Sequence, residues 1–118
     1  MTVYKSGLHE WAAGTVEGTP FSIDGDKGAN IWVGLTIPNG GSIVAQLQQG
    51  SPTGDWVDIP GALTSALAAE GSTLVKIYPS LTPLANQVVN TVLGGGAYRI
   101  LATITGAPTG QVVVESIA

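Results

Sequence analysis

Apolar and polar side chains alternate along much of the chain, the period of strands that bury one face. In Ala29 to Ile37 (ANIWVGLTI), Ile31, Val33, Leu35 and Ile37 share one face and Trp32 takes the other. SIVAQLQ repeats the pattern with Ile43, Ala45 and Leu47. The intervening PNGG supplies residues that accept positive φ, so the two runs read as a hairpin. STLVKIYP sets Val75 and Ile77 against Leu74, Lys76 and Tyr78 until Pro79 ends it. AYRILATIT and QVVVESI read as a closing pair of strands across GAPTG.

Other stretches are less regular. Thr15 to Asp24 (TVEGTPFSID) is interrupted by Gly18 and Pro20, as an edge or bulged strand would be. WVDIPGA holds a short strand bearing Trp56, LTSALAA fits strand, loop or a single turn, and QVVNTVL fits short extended pieces. Helix signals are nearly absent, and roughly seven to nine strands are expected, the number that suits a sandwich. The pattern therefore predicts an all-β chain: a single-domain antiparallel β-sandwich, jelly-roll or immunoglobulin-like, over residues 15–118. Residues 1–14 lack strand alternation and hold Tyr4, Leu8, the single histidine and Trp11. That segment reads as an N-terminal arm that docks on a neighbour, or as an ordinary first strand.

Composition narrows the picture. At 118 residues the chain suits one domain with its own core. Apolar residues make up 44% and charged residues only 10%, with 17 glycines, whereas soluble domains carry roughly a quarter charged residues. A surface covered by Thr, Ser, Asn, Gln and Gly leaves neutral area free for subunit contacts. The net charge is −4, and the four cations, Lys5, Lys27, Lys76 and Arg99, are scattered, so no basic stripe exists to neutralise phosphates or an anionic bilayer. Nucleic-acid and membrane partners are not expected. With no cysteine, disulfides, thiolate zinc sites and cysteine nucleophiles are excluded. MTVYKSGLHEWAAG shows no basic segment followed by a long apolar run, and no stretch nears the roughly 20 apolar residues of a spanning helix. The expectation is a soluble protein without a conventional export signal.

Candidate chemistry is sparse. His9 is alone and the eight carboxylates are scattered, so neither a metal site nor an acid-base pair is expected, and no enzyme is predicted. Asp24 and Asp26 in DGDKG resemble the opening of a calcium loop, but the later ligands are missing and a local turn accounts for them. No cofactor is expected. Trp56 between Asp55 and Asp58 has two readings: packing against the sheet, which is favoured, and a shallow ligand surface where the indole stacks on a sugar ring and the carboxylates accept its hydroxyls.

One pattern is more specific. SIVAQLQQGSPTGDWVDIPGA, then STLVKIYP, then AYRILATITGAPTGQVVVESI, resembles a recurring bacteriophage virion β-sandwich across roughly residues 42–118. Leu47, Gln48, Trp56, Asp58, Ile59, Tyr98 and Arg99 carry the resemblance. It implies adhesion rather than chemistry: a decoration or cement protein on the capsid exterior, assembled in the host cytoplasm. Its partners would be the major capsid protein and neighbouring copies of itself. Capsid symmetry favours a trimer over a dimer. Tyr4, Leu8 and Trp11 are the expected capsid or subunit contacts. The alternatives are a virion carbohydrate- or receptor-binding module using Asp55, Trp56 and Asp58, or a tail or neck component.

Overall fold

The computed structural model describes residues 2–5, 9–10, 13–23 and 26–118. Among them the chain forms β1 (Thr2–Lys5), β2 (His9–Glu10), β3 (Gly14–Glu17), β4 (Phe21–Ile23), β5 (Gly28–Ile37), β6 (Ser42–Gly50), β7 (Trp56–Leu63), β8 (Gly71–Ile77), β9 (Val88–Val89), β10 (Gly96–Thr105) and β11 (Thr109–Ile117). The first sheet has the order β1-β11-β5-β8-β9, with β2 also on β11; the second has the order β3-β10-β6-β7, with β4 also on β10. All pairings are antiparallel except β8 with β9.

The first four strands pair as two, β1 and β2 both on β11, β3 and β4 both on β10. β1 pairs with 113–116 of β11 and β2 continues along its 109–110. β3 and β4 follow one another along β10 in the same way, broken at Gly18–Pro20, where the Gly18 amide still donates to the Ile100 carbonyl at 2.8 Å. Counted so, and with β9 as a short addition at one edge, eight strands lie in the orders 1-8-3-6 and 2-7-4-5. This is a jelly roll, two Greek keys wound together, and it decides between the two sandwich types the alternation allowed.

Two expected hairpins are not hairpins. PNGG makes a tight turn, with the Gly41 amide donating to the Pro38 carbonyl and positive φ at Asn39 and Gly40. Yet β5 belongs to the first sheet and β6 to the second, and GAPTG likewise carries β10 in the second sheet to β11 in the first. The reason is burial. Ile31, Val33 and Leu35 must face Ile43, Ala45 and Leu47 across the core, whereas a flat hairpin would lay those rows side by side on one sheet. The two arches nest: a Cβ on Gly41 would stand 2.3 Å from the Thr105 carbonyl oxygen, and one on Gly106 would stand 2.8 Å from the Gly41 Cα, so only glycine allows this approach.

The core lies between the sheets, filled by alternate residues of β5, β6, β8, β10 and β11, with Tyr98, Ile31, Ile43, Leu47 and Ile77 fully buried. Each such side chain stabilises the fold by about 1.5–3 kcal/mol relative to exposure. Ile37 departs from the expected inward row and is 56% exposed. The β5–β11 register steps from Leu35 opposite Gly110 to Ile37 opposite Thr109, so one extra residue on β5 turns Ile37 out.

Candidate functional site

The outer face of the second sheet carries a chain of polar contacts crossing four strands. Gln48 on β6 is buried, yet both ends of its amide are satisfied: Nε2 donates to Asp58 Oδ1 of β7 at 2.7 Å, and Oε1 accepts from Arg99 Nε of β10 at 2.8 Å. The Arg99 guanidinium also lies 3.4 Å from Glu17 Oε2 of β3 and 4.6 Å from the centroid of the Trp56 ring, a cation–π distance. Alternation puts these groups together. Gln48 and Arg99 occupy the opposite phase of the strands from Leu47 and Tyr98, and the register sets Arg99 opposite Gln48 and Gln48 opposite Asp58.

Of the sugar-surface residues, Trp56 is half-buried, its ring against Gly50, where a Cβ would sit 3.4 Å away. Asp55 and Asp58 are exposed, and the Asp55 amide donates to Ser51 Oγ at 3.1 Å, closing the 51–55 turn. Trp56 and Asp58 are thus joined through Gln48 and Arg99, and Asp55 stands outside that network. The two joining residues belonged to the resemblance pattern as scaffold; their outward phase was the signal that they share a face.

Tyr4 stacks on Phe21 with ring centroids 4.3 Å apart, and its hydroxyl donates to the Ser22 carbonyl. Phe21 in turn stands 6.4 Å from Tyr98, which is wholly buried and donates to the Gly94 carbonyl at 2.7 Å. Burial pushes the Tyr98 phenol above its ordinary value of 10.0, partly offset by that hydrogen bond. Leu8, Trp11 and Asp24 lie outside the described residues. Among the described residues no three His, Asp or Glu side chains gather as metal ligands, and no helix is long and apolar enough to cross a membrane.

Two further surfaces are exposed. The connection 78–95, between β8 and β10, contains no charged residue and presents Leu84 and Val92 at 53% and 60% exposure. Val57, at the same end of the sandwich, is 55% exposed. The outer face of the first sheet holds Trp32 between Val113 and Leu74, and the indole Nε1 donates to Glu115 Oε1. A shallow depression of about 250 Å³ opens on that sheet over Gly34 and Gly71, rimmed by Thr36, Glu70, Ser72 and Gln111.

These features define a jelly-roll β-sandwich with a saturated polar network on one sheet and apolar patches elsewhere. The chain matches no protein-family model and no curated protein. It is similar in fold to solved structures of infectious bursal disease virus: the Gt strain (TM-score 0.46, 13% identity, 98% of this chain and 33% of that one) and the Gx strain (0.43, 13%, 98% and 32%). The VP2 subviral particle of that virus is similar to the same degree (0.41, 13%, 98% and 32%). The chain spans about a third of the length of those proteins.

Proposed function

We propose that this chain is a structural virion protein that binds the outside of an assembled bacteriophage capsid and stabilises it as a decoration or cement protein. The observation that supports the reading is the uncharged 78–95 connection, which holds Leu84 and Val92 exposed at one end of the sandwich. Long connections in compact domains commonly carry binding, and exposed apolar side chains on a neutral background suit adhesion to another protein. Each copy would place this end across a joint between capsid subunits, and simultaneous contact with several of them would resist their separation.

Cosedimentation of the purified protein with capsids stripped of decoration tests the proposal. Saturable binding that delays heat-induced genome release is expected. Leu84→Ser combined with Val92→Ser should weaken binding about tenfold or more, since each loses roughly 1 kcal/mol or more of apolar burial. Protein that stays in the supernatant, purifies with tails, or binds a glycan through Trp56 instead overturns the decoration reading.

A further inference from the structure

The outer face of the first sheet carries a symmetric arrangement of side chains about its central strand. The register aligns one outward row across five strands: Val3 on β1, Glu115 on β11, Asn30 on β5, Lys76 on β8 and Val88 on β9. The row is apolar at both ends, carries opposite charges one strand to either side of centre, and has a neutral amide on the central strand. The next outward row sets Lys5, Val113, Trp32 and Leu74 in line, with Trp32 on β5 flanked by the two aliphatic residues. Val3 is 45% and Trp32 38% exposed.

We infer that two copies pack these faces together about a twofold axis running along β5. Such an axis exchanges the strands on either side of β5 and leaves each row in place. It therefore sets Glu115 against Lys76 of the second copy, Lys76 against the second Glu115, Val113 against Leu74 and Val3 against Val88. Trp32 meets its counterpart at the centre, where aromatic residues concentrate in protein interfaces. A twofold axis perpendicular to β5 would oppose Glu115 to Glu115 and Lys76 to Lys76, so charge selects between the two arrangements. Aligned sheets pack with a rotation of about 30°, which at one strand spacing of about 4.8 Å displaces a residue by only about 2.4 Å, within side-chain reach. Glu115 is already held by the Trp32 indole, whereas Lys76 is exposed and has no ion pair among the described residues. The second copy supplies that counter-charge.

This contact is independent of capsid binding and is measured on the isolated protein. Sedimentation equilibrium should show a particle of twice the 11.9 kDa chain mass, in reversible exchange with monomer. Lys76→Glu and Glu115→Lys each place two like-charged pairs in the contact, and each alone should weaken dimerisation at least about tenfold. An equimolar mixture of the two variants restores both pairs and should form a heterodimer with affinity near that of the unaltered protein. Circular dichroism and thermal unfolding of each variant separate loss of association from loss of fold. A strictly monomeric or trimeric protein, a dimer indifferent to either charge reversal, or a mixture no tighter than the separate variants overturns the inference.

Discussion

Tyr98 shows how a single polar atom is kept inside a hydrocarbon layer. Its ring fills the core beside Phe21, and the hydroxyl finds the Gly94 carbonyl at the margin. Because burial raises the phenol's pKa above 10.0, the folded state resists ionisation that the unfolded chain accepts. The associated stability is fully present below the unfolded value and is lost as pH rises through the folded one. Urea unfolding followed from neutral pH to about 11 should show a flat stability that then falls. Tyr98→Phe should remove the Tyr98 part of that fall and lower neutral-pH stability by about 1 kcal/mol, the usual net worth of a buried hydrogen bond. Gln48 represents the opposite arrangement: a buried amide whose partners are charged groups at the surface, so that it ties three strands together.

At the scale of elements, glycines mark where two backbones come closer than a side chain permits. A Cβ on Gly110 of β11 would stand 2.1 Å from the Gly34 carbonyl oxygen of β5, beside the bulge that turns Ile37 outward. On Gly34 itself a Cβ would meet Ser72 Oγ at 3.5 Å and the Gly71 carbonyl oxygen at 3.8 Å, both ordinary contacts. Thermal unfolding should therefore separate the two sharply. Gly110→Ala should destabilise by roughly 1–3 kcal/mol, because backbone must move. Gly34→Ala should be neutral or slightly stabilising, because it reduces the freedom of the unfolded chain without a clash.

At the scale of the molecule, the longest pairing joins the two ends: Thr2 lies opposite Ser116, and β11 is the partner of β1, β2 and β5. The first sheet is incomplete until the last strand arrives, so most of the loop-closure entropy is spent before the core closes. Refolding from denaturant, followed by Trp fluorescence, should take milliseconds to seconds, as for other sandwiches dominated by distant contacts. Removing residues 109–118 should abolish cooperative unfolding altogether, since it withdraws Val112 and Val114 from the core and leaves an edge of β5 unpaired.

Strand alternation alone determined the all-β class, the inward rows of β6 and β8 and that of β5 as far as Leu35, because period-two burial is written locally in side-chain polarity, while the β-bulge that turns Ile37 out depends on the partner strand. The same alternation determined that Gln48 and Arg99 point away from the core. It was silent on which outward groups meet, since that depends on the register between distant strands. PNGG and GAPTG are tight turns in either case; whether they close hairpins or arch between sheets was decided only when the buried rows of β5 and β6 had to face one another. For the same reason only the assembled sheet sets the Trp56 ring against Gly50 and Arg99. The self-complementary row from Val3 to Val88 draws its members from five strands, so no stretch of sequence contains it and only the assembled sheet brings it into line.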